Sequence, residues 1–353
     1  MAEHDLEEAG TSAAREAGTR RRPAVMADVA KLAGVSHQTV SRVINDSEHV
    51  RKETRERVLS AMQMLDYRPN SVARALATGH SNTVGVVTFD TTLYGPASTL
   101  FGIERAAHEA GYFVSIVSLL KLDRAALHTA VESLRSQGVE GILVIATDRQ
   151  IALAMQQLPQ DMPIVSVEGG PADGIPLVSV DQFTGAALAT RHLLELGHKT
   201  VVHVAGPGDW IEAQQRVAGW RSALDAAGAP APPPLEGDWS ARSGYELARS
   251  FADDPEVTAV FVANDPMALG LLRYLHEIGR NIPGSMSVVG FDDVPEAAYF
   301  APPLTTVRQD FLQVGRSSFG LLLSEIERGT RSPARVTVPP ELVVRVSTAP
   351  PPA

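Results

Sequence analysis

The chain has 353 residues and a formal net charge of −10, and it contains no cysteine. The lack of cysteine excludes disulfides, thiolate metal sites and cysteine nucleophiles. No apolar run approaches the roughly 18 residues of a membrane span, and the N-terminus carries no apolar signal-peptide segment, so we expect a cytoplasmic protein with no membrane partner. The length allows a small N-terminal domain and a larger body with its own core.

The first residues of the chain are rich in Ala, Glu and Gly, with Leu6 as the one large aliphatic side chain. Such a composition cannot bury enough apolar surface to form a core. We therefore predict a disordered leader over residues 1–22 and assign it no fold.

Residues 28–45, DVAKLAGVSHQTVSRVIN, are patterned as two short helices around a tight turn. Gly34 supplies the turn, and Ser36 is placed to cap the second helix through its hydroxyl. Apolar side chains recur at one-turn spacing on both helices, at Val29, Ala30, Ala33, Val40, Val43 and Ile44. This pattern predicts a helix-turn-helix motif.

Four polar residues of the second helix face away from its apolar side: His37, Gln38, Ser41 and Arg42. Helix-turn-helix proteins lay this helix in the major groove of DNA, where Arg pairs with guanine and Gln with adenine. An ordinary pair of helices with a solvated polar face gives the same pattern, so both interpretations stay open on these residues alone.

A third helix is predicted over about residues 52–65 and is followed by RPNSVARALATG at 68–79. Pro69 and Gly79 would bound a helix of roughly eight residues, which is too short to be stable alone in water. Arg74 and Leu76 suit a segment that folds on the phosphate backbone while an apolar side chain enters the minor groove.

Residues 25–79 resemble, nearly position for position, the DNA-binding headpiece and hinge helix of the LacI/GalR family of bacterial transcription regulators. The resemblance implies that the second helix reads the operator, that Asn70 and Arg74 belong to the hinge, and that Leu76 is levered between the central base pairs. The implied DNA-contacting residues are His37, Gln38, Ser41, Arg42, His49, Asn70, Arg74 and Leu76. The family usually has a hydroxyl residue before the first helix, whereas this chain has Val25 and Met26, and we expect Asp28 to compensate at the first turn.

The charge distribution agrees with a DNA-binding head on an acidic body. Residues 21–79 hold ten Lys and Arg against six Asp and Glu, although the whole chain is acidic. A basic head can dock on phosphates while the acidic body stays off the duplex.

From about residue 82, apolar runs alternate with helical segments, which predicts an α/β fold of doubly wound parallel sheets. The runs are TVGVVT at 83–88, YFVSIV at 112–117, GILVI at 141–145, PIVSV at 163–167, TVVHVA at 200–205, VTAVFVA at 257–263 and SVVGF at 287–291. They are too many for one sheet of common size, and their spacing resets near residue 180, so we predict two lobes.

The family resemblance continues over about residues 83–348 and implies a core similar to periplasmic sugar-binding proteins, in which the chain crosses three times between lobes. The expected organisation is a headpiece over 23–68, a hinge over 69–80, a core over 81–348 and a disordered tail over 349–353. Within the core we expect an N-lobe over about 82–181 and 309–337 and a C-lobe over about 182–308 and 338–348.

Ligands of doubly wound sheets bind beyond the carboxyl ends of the strands. Glu168, Asn264 and Asp292 each follow an apolar run, and Asn and Asp side chains can hydrogen-bond the paired hydroxyls of a sugar. Arg216 offers a bidentate donor and Trp239 a face on which a pyranose ring can stack. The resemblance implies that Arg216, Asn264, Asp292 and Trp239 contact the effector and that Glu168 is an acid of the opposing lobe.

Three aromatic residues, Phe89, Tyr94 and Phe311, are candidates for the apolar side of the cleft, and a place in the core is an equally open interpretation. Asp265 is open in the same way, between capping the helix that begins there and contacting the ligand. Ile145 makes one wall of the predicted pocket drier than in the lactose-type members of the family.

Parts of the sequence are compatible with two other classes of protein. The core alone would suit a sugar-binding transport protein, but that class needs an export signal and does not carry residues 25–79. An enzyme acting on carbohydrates would suit the fold, but none of the histidines sits in a catalytic or metal-binding motif, and no phosphate-binding loop or nucleophile elbow is present. We therefore predict no enzymatic activity, no metal and no cofactor.

The sequence predicts a ligand-responsive repressor that binds double-stranded operator DNA as a homodimer and is released by a small carbohydrate. Family members that form tetramers through their tails carry a C-terminal leucine heptad, whereas this chain ends in VVRVSTAPPPA. A coiled coil cannot form there, so we expect a dimer built through the core lobes.

Overall fold

The computed structural model describes residues 22, 24–44, 49–68, 79–119, 123–159, 161–170, 174–329 and 333–352. The chain divides into two compact units, Met1–His80 and Ser81–Ala353. Residues 1–21 of the predicted leader (1–22) and the predicted hinge residues Asn70, Arg74 and Leu76 lie outside the described residues. Within the described ranges, no helix is long and apolar enough to cross a membrane.

The N-terminal unit contains three helices: α1 (Met26–Ala33), α2 (His37–Ile44) and α3 (Lys52–Met64). Their apolar faces meet in one small core made of Val29, Ala30, Ala33, Val40, Val43, Val58 and Ala61. Gly34 ends α1 with φ of 65°, in the left-handed region that favours glycine. The predicted helix-turn-helix and third helix are therefore confirmed.

Both helix starts of the motif use the side chains expected from the sequence. The Ser36 hydroxyl accepts the backbone N–H of Thr39 at 3.1 Å and so caps α2. No side chain caps α1 from the Val25 position, but the Asp28 carboxylate accepts the backbone N–H of Val25 at 2.9 Å. Asp28 thereby satisfies a free donor and places a negative charge at the positive end of the helix.

The C-terminal unit holds two six-stranded sheets. The first has the order β11-β5-β4-β3-β1-β2, with every neighbouring pair parallel. Its strands are β1 (Thr83–Phe89), β2 (Phe113–Leu119), β3 (Ile142–Ile145), β4 (Ile164–Val167), β5 (Leu177–Val180) and β11 (Arg335–Val338). The helices of this lobe are α4 (Tyr94–Glu109), α5 (Arg124–Ser136), α6 (Arg149–Met155) and α11 (Phe311–Arg328).

The second sheet has the order β12-β10-β9-β8-β6-β7 and is parallel except for β12, which runs antiparallel to β10. Its strands are β6 (Val202–Ala205), β7 (Leu235–Glu236), β8 (Ala259–Val262), β9 (Ser287–Asp292), β10 (Thr305–Arg308) and β12 (Glu341–Val343). The helices of this lobe are α7 (Gln182–Glu195), α8 (Ile211–Ala226), α9 (Ala241–Ala248) and α10 (Asp265–Glu277), with a 3₁₀ turn at Pro295–Tyr299.

Three connections join the two lobes, from β5 to α7, from β10 to α11 and from β11 to β12. The first two place Gln182 and Gln309 just where the chain passes from one lobe to the other. The seven apolar runs all form strands, as the doubly wound fold requires, and each lobe has apolar clusters against its sheet.

Ala349, which the sequence placed at the start of a disordered tail, is held against the second lobe. Its backbone N–H donates to the Ser287 hydroxyl at 3.0 Å, and its carbonyl accepts from the same hydroxyl at 2.9 Å. The His198 ring also contacts this carbonyl through Nε2 at 3.0 Å. Proline stops a helix or central strand, but it does not prevent an extended segment from docking through the hydrogen bonds of its neighbours.

The close crossing of α4 and α11 gives a stability test with an internal control. A Cβ added at Gly315 would lie 2.2 Å from the backbone carbon of Gly102, whereas one added at Gly320 of the same helix meets nothing within 4 Å. We expect Gly315→Ala to lower the free energy of unfolding by about 1–3 kcal/mol through overpacking. Gly320→Ala should raise it by about 0.5–1 kcal/mol, because only helix propensity changes. Urea unfolding of the two variants measures both changes. If the two substitutions change the free energy of unfolding equally, α4 and α11 can move apart at little cost.

Candidate functional site

A cavity of about 440 Å³ lies between the two lobes of the C-terminal unit. Side chains of both lobes line it, at the carboxyl ends of the strands where a doubly wound fold binds its ligands. Seven of the eight predicted effector residues are among its lining residues: Tyr94, Glu168, Arg216, Trp239, Asn264, Asp292 and Phe311. Its volume lies within the range of small-molecule sites, about 300–1,000 Å³.

Phe89 is the predicted effector residue that the structure does not bring to this cavity. Its ring packs with Val87 against the core cluster that contains Leu127 and Leu134. Residues 87 and 89 share one face of β1 because side chains alternate along a strand, and that face is covered by α5. The structure thus favours the core interpretation for this aromatic residue.

Three of the lining residues have left-handed backbone conformations that non-glycine residues rarely adopt. The φ angles are 58° at Glu168, 71° at Trp239 and 109° at Asp292. Glu168 follows β4, Trp239 follows β7 and Asp292 ends β9, so each residue turns sharply where its strand ends. Such strain persists only where the surrounding structure holds it, and three of the seven non-glycine residues with positive φ among those described line the cavity.

Four buried polar side chains form a closed ring on the wall of the cavity, here called the cavity ring: Arg216, Gln182, Gln309 and Asp292. Arg216 Nε donates to Gln182 Oε1 at 2.9 Å, and Gln182 Nε2 donates to Gln309 Oε1 at 2.8 Å. Gln309 Nε2 donates to Asp292 Oδ1 at 2.6 Å, and that oxygen lies 3.7 Å from Arg216 Nη2. The ring therefore links two lobe-crossing residues to two predicted effector residues.

The Arg216 guanidinium is fixed by more than the ring. Its Nη1 donates to the carbonyl of Ala263, and its central carbon lies 3.9 Å from the centre of the Phe291 ring. Burial raises the pKa of Asp292 to about 6, although the charge of Arg216 opposes that rise. A buried cation held in one orientation, with its carboxylate partner beside it, forms a preorganised polar wall.

The apolar side of the cavity is aromatic. Tyr94 and Phe311 meet edge to face with ring centres 5.8 Å apart. Trp239 meets Trp210 in the same way at 5.5 Å and lies so close to Gly206 that a Cβ there would fall 2.1 Å from its ring. Flat apolar faces opposite fixed polar groups are suited to a ligand whose ring has a polar edge and an apolar face.

Asn264 and Asp265 separate into two roles. Asn264 caps α10 by accepting the backbone N–H of Met267 at 2.9 Å, donates to the Trp239 carbonyl at 3.0 Å, and also lines the cavity. Asp265 accepts from the Thr306 hydroxyl at 2.6 Å and from the Val294 backbone at 2.9 Å. Its carboxylate therefore ties neighbouring segments of the second lobe together and is not among the lining residues.

Several lining residues were missed from the sequence, and Gln182, Gln309, Glu212 and Thr147 are the polar ones of most interest. Gln182 follows β5 and Gln309 follows β10, so the rule that ligands meet the carboxyl ends of strands points to both. β10 (TTVR) gives no apolar run, whereas β5 (LVSV) differs from the predicted strand β4 (IVSV) in one residue and could have been recognised by the same pattern.

In the N-terminal unit, the predicted base-reading side chains lie on the open face of α2. His37, Gln38 and Arg42 are exposed and Ser41 is half-buried, whereas Val40 and Val43 of the same helix are in the core. His49, which precedes α3, is also exposed. The arrangement leaves one polar helix face free to enter a groove.

A helix-turn-helix unit followed by a two-lobed core with a polar cavity is the arrangement of a DNA-binding regulator that takes an effector. Residues 25–70 match the bacterial regulatory proteins of the lacI family, and residues 190–348 match the periplasmic binding protein-like domain. The lactose operon repressor of Escherichia coli (strain K12) is 35% identical over 332 residues, which cover 94% of this chain and 92% of that repressor. The HTH-type transcriptional repressor PurR of Haemophilus influenzae is 35% identical over 333 residues, which cover 92% of this chain and 98% of PurR.

Solved structures agree with these sequence matches. A Lac repressor dimer bound to operator and the anti-inducer ONPF has a TM-score of 0.85 at 35% identity, covering 93% of this chain and 100% of that one. A complex of the transcriptional regulator CelR with cellobiose has a TM-score of 0.69 at 32% identity, covering 92% of this chain and 99% of that one. The chain belongs to the LacI family, and it is a DNA-binding transcriptional repressor with an effector-binding core.

Proposed function

We propose that the protein represses genes of carbohydrate utilisation, binds a near-palindromic operator as a homodimer, and is released by a small sugar or glycoside held in the cavity. The observation that carries the proposal is the cavity ring. Buried Arg, Asp and Gln side chains with fixed hydrogen bonds can meet the vicinal hydroxyls of a sugar, while the aromatic side takes its apolar face.

In this proposal Arg216, Asn264 and Asp292 hydrogen-bond the sugar from the second lobe and Glu168 from the first. Trp239 stacks on the pyranose ring, and Tyr94 and Phe311 also contact the sugar. The rigid side chains favour one ligand geometry over others, because a ligand that leaves any of these buried polar groups unpaired loses affinity.

Release follows from linkage between the two sites. Gln182 and Gln309, the two members of the cavity ring at crossings between the lobes, are hydrogen-bonded to each other. Gln182 also accepts a hydrogen bond from Arg216, and Gln309 donates one to Asp292. A ligand that binds one lobe arrangement better than the other shifts the protein toward it, and operator affinity falls by the same factor if the hinge segments cannot pair in that arrangement. The sugar would act by this preference and not by contact with DNA.

On the DNA side, we propose that Gln38 and Arg42 read base edges in the major groove, with His37, Ser41 and His49 beside them. Asn70 and Arg74 would belong to the hinge, with Leu76 as the wedge in the minor groove. A two-fold symmetric dimer would present two copies of this helix, so we expect an operator made of two half-sites related as a near-palindrome.

A thermal-shift screen of monosaccharides and disaccharides, with purine bases as a second chemical class, tests the proposed ligand. A sugar that binds the folded core raises its melting temperature in proportion to the logarithm of its concentration. If purine bases stabilise the protein and no sugar does, the effector is a flat heterocycle and not a carbohydrate. Failure of every sugar would remove carbohydrate control from the proposal.

The expected assembly is a dimer through the core lobes, with no tetramer. Three large apolar side chains are exposed on α4 and β2 of the first lobe: Phe101 at 58%, Phe113 at 71% and Ile116 at 49% of their surface. Phe113 and Ile116 point to opposite faces of the edge strand β2, because side chains alternate along a strand, so the feature suited to self-association is this edge with the apolar side chains beside it. Light scattering at micromolar concentration should give the mass of two chains, and a stable mass of four would contradict the prediction.

A further inference from the structure

Two carboxyl groups reach the cavity from opposite lobes. Glu168 stands at the end of β4 in the first lobe, and Glu212 lies in the first turn of α8 in the second. Both side chains line the cavity and both residues are more than nine-tenths buried, with 6% and 7% of their surface exposed. An acid in the first turn of a helix is favoured by the helix dipole, but that accounts for neither its burial nor its place in a ligand cavity.

Each of these carboxyls keeps a buried oxygen without a partner among the described residues. Glu168 Oε2 accepts the backbone N–H of Val180 at 3.3 Å, whereas its Oε1 accepts nothing. Glu212 Oε2 is likewise unpaired. Buried carboxylate oxygens are costly to leave unpaired, so their presence in a cavity points to a donor that arrives with the ligand.

Among the described residues, no Lys or Arg forms an ion pair with either of these two carboxyls. Among the described lining residues, Arg216 is the one Lys or Arg, and its nitrogens are already directed to Gln182, the Ala263 carbonyl and Asp292. Arg216 forms its ion pair with Asp292, and its charge acts on Glu168 and Glu212 only from beyond ion-pair distance. Burial favours the neutral form of an acid without a cation in contact, so a cation bound in the cavity would stabilise the ionised form of both.

We propose that the effector is a cationic carbohydrate, an amino sugar whose ammonium group binds between Glu168 and Glu212. The inference rests on the proposed function and narrows it, because it assigns a charge to the sugar. Glu212 becomes a specificity-determining residue, and the ammonium bridges the two lobes, since one carboxyl comes from each.

The charges around the two groups set the sign of the pH dependence. Burial raises the pKa of Glu168 to about 7. The Val180 N–H, the charge of Arg216 and the Gln182 side chain oppose this rise, and the charge of Asp292 adds to it. Burial and, after it, the charge of Glu168 hold the pKa of Glu212 well above its usual range. The charge of Arg216 opposes this rise, and the charge of Asp148 adds to it. An ammonium ion favours the ionised carboxyls, so its binding near pH 7 releases protons and weakens on acidification. A neutral sugar that accepts hydrogen bonds from the protonated acids would show the opposite trend.

The test is calorimetric titration of the full-length protein with matched sugars that differ in one group: D-glucosamine against D-glucose, D-galactosamine against D-galactose, and the β-1,4-linked glucosamine disaccharide against cellobiose. We expect the amine of at least one pair to bind about ten- to a hundredfold more tightly than its neutral partner. Titration in two buffers of different ionisation enthalpy should show proton release, and the affinity should fall between pH 7 and pH 6.

Glu168→Gln and Glu212→Gln each remove one negative charge at constant size, and each should reduce the preference for the amine over its neutral partner. Glu256→Gln, a change of the same kind at an exposed position, is the control and should keep the preference. Neutral sugars that bind as tightly as their amines, or amines that bind with proton uptake, would overturn the inference while sugar control of the operator stands. If no sugar of either kind binds, the inference and the proposed function both fail.

Discussion

Asp292→Ala is expected to abolish the response to the effector while operator binding persists. Asp292 is the carboxylate beside the buried Arg216 and accepts the hydrogen bond from Gln309, so its removal breaks the cavity ring at two points. The buried Arg216 cation then loses the carboxylate with which it forms an ion pair. Loss of one partner of a buried pair costs about 3–5 kcal/mol of stability, and the lost hydrogen bonds to a ligand add about 1.5–3 kcal/mol each to the loss of binding.

Calorimetry with the sugar, operator binding by fluorescence anisotropy and urea unfolding separate these effects. Asp293→Asn is the matched control, because the neighbouring carboxylate pairs with Arg308 at 2.7 Å and with Arg345, and it is not among the residues lining the cavity. The control should lose stability but keep its effector response. Normal induction by Asp292→Ala would show that this residue is only a structural partner of Arg216.

Arg42→Ala is expected to remove sequence discrimination more than it removes DNA binding. The side chain is exposed on the open face of α2, one turn from Gln38, while Val40 and Val43 hold the opposite face in the core. A base-edge contact contributes about 1–3 kcal/mol of discrimination, whereas a phosphate contact weakens all sequences alike. Operator affinity should therefore fall by about 5- to 150-fold with little change on random DNA.

Anisotropy with operator and random duplexes at several salt concentrations gives both affinities and the salt slope. Arg242→Ala removes the same charge from an exposed position on α9 of the C-terminal unit and should change neither affinity. If Arg42→Ala weakens binding to operator and to random DNA equally, Arg42 contacts the phosphate backbone and does not read bases.

The headpiece could be predicted nearly in full because its signals are local. Helical spacing of small apolar residues, a turn glycine and a serine cap act within a few residues, and the structure shows each of them. Seven of the twelve strands in the described residues were predicted as well, because a strand covered on both faces is a continuous apolar run. Five strands were missed: the central strands β5 and β10 and the edge strands β7, β11 and β12.

The missed strands explain the missed site residues. Gln182 and Gln309 follow β5 and β10, so they could be placed at the cavity only once those strands were known. Glu212 carried no signal of its own, since a Glu in the first turn of a helix ordinarily serves the dipole. Phe89 was placed correctly at the end of β1 but assigned wrongly to the cavity. Side chains alternate along a strand, and this ring lies on the face of β1 that packs against the core.

Reciprocity between the two ligands tests the central claim most directly. A sugar found by the thermal-shift screen should weaken operator binding by a factor of about 5–150, and the operator should weaken binding of that sugar by the same factor. Anisotropy with labelled operator at saturating sugar measures the first factor, and calorimetry of the sugar with and without operator measures the second. Two equal factors above one are the predicted result. Operator affinity that stays unchanged while the cavity is saturated with sugar would contradict the account.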